Sequence, residues 1–206
     1  MSATSFNAQS LFNIQGLTAV ITGGSGHFGR AMALALARAG AHVAILGRHL
    51  ESAQSVARAI QAEGGIALPI ACDVMSRPSL EQSQELILSA FGQVDILINA
   101  AGGNSPSATT STEQSFFDLD TGAINHVFGL NCTGTFQSCQ VFGSGMAERG
   151  QGCIVNVTSM SALRPLTRVP AYGAAKAAVA NFTQWLAVHM AQEYGSAIRV
   201  KTSPHN

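Results

Sequence analysis

Three observations predict an α/β fold built on a doubly wound parallel sheet. Short apolar runs of strand length alternate with helical patterns down the chain. Apolar residues make up 47% of the sequence against 11% charged. A glycine-rich turn joins the first apolar run to the first helical pattern. Such alternation produces βαβ units with right-handed crossovers. These place helices on both faces of the sheet and gather the loops after the strands at one edge, where ligands bind. At 206 residues the chain reads as a single domain, 1–206.

Leu17–Thr22 is a short buried strand, followed by the glycine-rich residues 23–29 and a helix over Phe28–Ala39 that Gly40 ends. Ala41–Leu46 is the second strand, Ser52–Glu63 a helix stopped by Gly64-Gly65, and Ile66–Ala71 the third strand. Pro78 opens a helix running to Phe91, because proline at a helix start removes only an N–H that has no intrahelical partner. Val94–Asn99 is the fourth strand. A loop of Gly, Ser, Thr, Asn and Pro covers 102–115, one helix spans about 121–148, and Gly152–Thr158 is the fifth strand. A long helix occupies 171–194, and a short sixth strand begins near Ile198.

Eleven basic residues balance eleven acidic ones, so there is no charge footprint for nucleic acid or an anionic membrane. No stretch of 18 residues is uniformly apolar. The first charged residue is Arg30, so no basic leader is expected, and cytoplasm is the expected compartment. Cys72, Cys132, Cys139 and Cys153 form no C-x-x-C pair and are read as small apolar residues, with no metal site.

Gly24-x-Gly26-x-x-Gly29 follows a strand and opens a helix, the setting in which glycines let backbone approach a pyrophosphate at a helix N-terminus. The candidate cofactor residues there are Thr22, Gly23, Gly24, Ser25, Gly26, Phe28 and Gly29; a plain strand–helix turn is the alternative. An acid at the end of the second strand would bind the ribose 2′-hydroxyl of NAD. This chain has Gly47-Arg48-His49 instead, and a cation without a carboxylate suits the 2′-phosphate of NADP, with NAD the alternative. Asp73, next to Val74, ends the third strand and either meets the adenine or serves a turn.

Tyr172 and Lys176 share one face of the last long helix at i, i+4, in a chain with only two tyrosines. A nearby ammonium favours phenolate, so such a tyrosine can exchange a proton with a carbonyl or carbinol oxygen while a nicotinamide exchanges hydride. Ser159 ends the fifth strand, where its hydroxyl could hold the substrate oxygen; a capping serine is the alternative. Asn131 lies within an apolar helix and needs specific hydrogen bonds there, as a ligand to a relay water from Lys176 or as a core amide.

In order and spacing these residues resemble the short-chain dehydrogenase/reductase family from about residue 14 to about 200, with Asn99-Ala100-Ala101-Gly102 as a further mark. The resemblance implies a Rossmann sheet and an NAD(P)-dependent reaction. Asn131, Ser159, Tyr172 and Lys176 would be the catalytic set. Thr22 to Gly26, Phe28, Gly29, Arg48, Asp73, Val74, Asn99 to Gly102, Tyr172 and Lys176 would lie along the cofactor. It also implies a homo-oligomer assembled through the long helices carrying Asn131 and Tyr172. The stretches 101–110, 116–120 and 181–189 look like the D-mannonate oxidoreductase (fructuronate reductase) subgroup, which implies a keto-sugar acid as substrate. A reductase of a 3-oxoacyl thioester or a polyol, and a non-catalytic dinucleotide-binding remnant, are the other readings. The pattern departs from the family at His27, at Ala100 and from Lys201 onward, where the family's nicotinamide-contacting loop, substrate helices and last strand are expected and missing. The expectation is therefore a truncated chain.

Overall fold

The computed structural model describes residues 12–205. Six strands form one sheet in the order β3-β2-β1-β4-β5-β6, and every neighbouring pair is parallel. The strands are β1 (Thr18–Thr22), β2 (His42–Gly47), β3 (Ile66–Ala71), β4 (Ile96–Asn99), β5 (Gln151–Ser159) and β6 (Ala197–His205). The helices are α1 (His27–Arg38), α2 (Leu50–Ala62), α3 (Arg77–Phe91), α4 (Thr121–Phe128), α5 (Gly134–Arg149) and α6 (Pro170–Glu193). The strand order reverses direction between β1 and β4, and the loops after both strands open into one crevice at that switch point.

β1 and β4 are buried along their whole length because helices cover both faces of the sheet, which is why they read as unbroken apolar runs. One core face gathers Val20, Leu97, Phe142 and Ile154 beneath α3, α5 and α6. The other gathers Ile21, Val43, Ile45, Val56 and Ile60 beneath α1 and α2. Each of these side chains contributes about 1.5–3 kcal/mol on burial.

Local chemistry sets the helix ends. Ser76 accepts a hydrogen bond from the Ser79 amide at the start of α3, and Asp120 accepts one from Ala123 at the start of α4. Gly150 turns left-handed (φ 65°, ψ 18°) to end α5.

The structure differs from the sequence reading in two places. The single helix expected over 121–148 is α4 and α5 joined by a π turn over Gly129–Thr133, which contains Asn131. The extra residue in that turn rotates Asn131 out of the regular helical register, as π turns do where a side chain must be aimed. The short sixth strand is nine residues long and pairs with β5 from Gln151–Ala197 to Ser159–His205. No helix among the described residues is long and apolar enough to cross a membrane.

Candidate functional site

Two adjoining clefts line the carboxyl ends of the strands. The first, about 210 Å³, is walled by Gly23, Ser25, Gly26, Arg48, Asp73, Val74, Ala101 and Leu130 among others. The second, about 250 Å³, is walled by Phe28, Gly29, Gly103, Val157, Tyr172 and Lys176 among others. Gly23, Gly26, Ala100 and Gly102 border both, so the clefts are continuous. Together they match a small-molecule site, roughly 300–1,000 Å³.

The glycine turn is a cradle that side chains would fill. Gly23 has φ +64°, and a Cβ there would sit 2.7 Å from the Ala101 backbone. A Cβ on Gly29 would overlap the Gly23 carbonyl oxygen. At Gly47 a Cβ would meet Ser25 Oγ at 2.6 Å. The crevice floor is thus bare backbone at the N-terminus of α1, the form a pyrophosphate requires. Arg48 is exposed on the first cleft's wall beside His49. Asp73 is on that wall too, with one carboxylate oxygen accepting the Met75 amide at 3.0 Å.

Thr22 and Asn99, expected along the cofactor, lie beneath the crevice rather than on its wall. Both are buried. The Thr22 hydroxyl accepts from the Ala101 amide at 3.3 Å and donates to Asn99 Oδ1 at 3.4 Å. Asn99 Nδ2 donates to Asn156 Oδ1 at 2.9 Å, and Asn156 Nδ2 to Thr183 Oγ1 at 2.9 Å. This buried chain ties the residue 99–101 floor to α6, which carries Tyr172. The sequence reading missed Asn156 and Thr183. The signal available was an Asn inside an apolar strand, which must find partners when buried. Cys139 joins the chain as an acceptor of Asn99 Nδ2, and burial pushes its thiol up to about 12, so it stays neutral.

Lys176 is buried at 3% exposure, and its ammonium donates to the Val157 carbonyl at 2.9 Å. Nζ stands 5.7 Å from the centre of the Tyr172 ring. Desolvation lowers its pKa to about 8, which leaves the ammonium form dominant at neutral pH. The Tyr172 ring packs on Ala108, Val127 and Ala171. Asn131 is fully buried and holds the loop after β4: its Oδ1 accepts from the Gly103 amide at 3.1 Å, and its Nδ2 donates to Gly103 O at 2.6 Å and Val127 O at 2.9 Å. Both amide hydrogens are committed, so the side chain has no donor left for a relay water. Gly102 is the meeting point, since a Cβ there would lie 2.6 Å from Asn131 Oδ1 and 3.1 Å from Lys176 Nζ. Ser159 is buried at the end of β5, and its Oγ accepts from the Ser161 amide at 3.2 Å, leaving its own hydrogen to donate. Among the described residues no cluster of three or more His, Cys, Asp or Glu could hold a metal ion.

The profile of the short chain dehydrogenase family matches residues 17–203. An uncharacterized oxidoreductase of Bacillus subtilis, UxuB, is 51% identical over 188 residues, which span 87% of this chain and 68% of that protein. D-threitol dehydrogenase of Mycolicibacterium smegmatis is 33% identical over 191 residues, spanning 93% of this chain and 70% of that one. A Haemophilus influenzae protein crystallised with bound NAD, under the provisional name D-mannonate oxidoreductase, superposes with a TM-score of 0.89 at 38% identity. It covers 96% of this chain and 73% of its own.

Proposed function

The chain belongs to the short-chain dehydrogenase family and is an oxidoreductase with a nicotinamide-cofactor fold; on that premise we propose that it interconverts a keto-sugar acid, D-fructuronate, and its alcohol, D-mannonate, with Tyr172 moving the proton. The observation that carries this reading is the placement of Tyr172 and Lys176 together on the wall of the cleft that continues the glycine cradle.

A nicotinamide held there would supply or accept the hydride. The protein handles the proton. In reduction Tyr172 gives its phenolic hydrogen to the substrate oxygen, and in oxidation it takes one back. Lys176, an ammonium one helical turn away, stabilises the negative charge that develops on the phenol oxygen, and the apolar setting strengthens that attraction. Ser159 donates its free hydrogen to the substrate oxygen and so aims the carbonyl. Asn131 fixes Gly103 and keeps the floor at Gly102 open beside Lys176. Gly23 to Gly26, Phe28 and Gly29 would hold the pyrophosphate.

The cofactor is NADP(H). Arg48 is the cation at the end of β2, and its neighbours there, Gly47 and His49, supply no carboxylate to receive a 2′-hydroxyl. NAD is the alternative, favoured by the bound NAD of the Haemophilus influenzae structure.

The substrate reading rests on the likeness to that protein and on Asn104, Ser105, Ser107 and Thr109 in the loop beside Tyr172. A polyol is the second reading, favoured by the D-threitol dehydrogenase relationship. The exposed aromatics Phe136 on α5, Trp185 on α6 and Tyr194 at the C-cap of α6 support assembly into a homo-oligomer through these helices. Sedimentation would show it.

Mixing folded protein with NADPH or NADH and D-fructuronate, and following absorbance of the reduced cofactor, tests the reading. Faster oxidation than with D-fructose or short polyol ketones is expected. No oxidation with any ketone overturns the enzymatic reading, and preference for the uncharged ketones overturns the sugar-acid one.

A further inference from the structure

We infer that Arg168 is the carboxylate-recognition residue, pairing with the acid group of the substrate and selecting sugar acids over neutral ketoses. This rests on the sugar-acid reading above and adds the residue that would enforce it.

The acid end of such a substrate lies at the opposite end of its carbon chain from the ketone. A site that presents Tyr172 to the ketone must therefore place a cation some way from Tyr172, on the loops around it. Two loops qualify: 102–111 after β4, and 160–169 between β5 and α6. The first carries no charged residue, its nearest acid being Glu113, and the second carries Arg164 and Arg168 and no acid. Both arginines are exposed, and neither has an ion-pair partner among the described residues.

The fold treats the two arginines differently. Arg164 closes a short turn, its amide donating to Met160 O, and it faces a separate groove of about 300 Å³ with Leu163, Pro165, Leu166 and Val169. Arg168 is the one non-glycine residue among those described with a positive φ, +73°. That left-handed conformation strains an L-residue and persists only where the surroundings hold it. The holding contact is visible: the Arg168 carbonyl accepts the Thr110 amide at 2.9 Å, which joins the two loops. Two residues before Thr110, Ala108 is fully buried against Ala171 and the Tyr172 ring. Arg168 is therefore fixed four residues before Tyr172, at the seam where the polar loop meets the helix carrying the phenol. Glycine would take this backbone at no cost, and an arginine there brings a planar fork of donors suited to a carboxylate.

The experiment compares D-fructuronate with D-fructose, the same ketose with a hydroxymethyl group in place of the carboxylate, on the full chain with NADPH. Arg168→Ala should raise KM for D-fructuronate roughly 10- to 100-fold, the scale of a lost charge-assisted bond, and leave D-fructose within about twofold. Arg168→Lys should restore part of the preference. Arg168→Gly relaxes the backbone yet should lose the preference as the alanine variant does. Arg164→Ala should leave both substrates near wild type. Equal loss on both ketoses, full discrimination in Arg168→Gly, or a larger effect from Arg164→Ala overturns the inference. Wild-type turnover of D-fructose without preference for the acid overturns it too, while the reductase reading stands. If neither ketose turns over, the reductase reading fails. Calorimetry of D-mannonate on the NADP+-loaded protein then decides: binding weakened by Arg168→Ala supports the carboxylate site, and binding that is absent or unchanged by it overturns it.

Discussion

On the proposed reading, the cofactor side and the substrate side of the crevice are made of different material. On the cofactor side the working surface is backbone: Gly23, Gly26 and Gly29 border the crevice without side chains, packed too closely to admit a Cβ at Gly23 or Gly29, and strands β1, β2 and β4 hold them in place. On the substrate side the working groups are side chains, on α6, on the end of β5 and on two loops joined at Thr110 and Arg168. A surface made of backbone is damaged by adding atoms. A surface made of side chains is damaged by removing them. The two halves should therefore fail in opposite ways.

The largest effect is expected on the backbone half. Gly23→Ala forces a Cβ to 2.7 Å from the Ala101 backbone at a positive φ, and neither strand can give way easily. It should destabilise the protein by roughly 3 kcal/mol and abolish cofactor binding, read by denaturant unfolding and calorimetry.

Lys176→Met probes the other half through pH. Below about pH 8 folded and unfolded chains both keep the lysine proton, and the folded state carries the full cost of a buried charge. Between about 8 and 10.5 only the unfolded chain keeps it, so the unfolded state binds more protons and stability rises with pH. The wild type should gain about 3 kcal/mol relative to Lys176→Met across that window, and parallel pH curves for the two proteins would contradict this. The smallest effect is expected at Arg48, an exposed side chain. Arg48→Ala should weaken NADP+ about tenfold and NAD+ hardly at all, in a titration with each.

What was legible in the sequence follows the same division. The glycine spacing and the Tyr172–Lys176 pair were readable because each is local: one turn or one helical repeat fixes the geometry. The start of α3 at Pro78 was readable for the same reason, since proline acts on a helix start within a residue or two. The π turn at Gly129–Thr133 was not, because it takes its reason from Gly103, 28 residues away, to which Asn131 bonds. Thr22 and Asn99 were assigned to the cofactor, but their partners are Asn156 and, through it, Thr183, which no spacing rule connects to them. The left-handed Arg168 has no glycine or asparagine signature to announce it.

The proposed role of the Tyr172 phenol is to exchange the substrate's proton from the wall of the cleft it lines. Its most direct test is Tyr172→Phe, which removes one oxygen and keeps the ring on Ala108 and Val127. Turnover should fall roughly 10²- to 10⁴-fold while the dissociation constant for NADP+ stays within about twofold of wild type. A Tyr172→Phe protein that reduces ketones at a rate near wild type would contradict it.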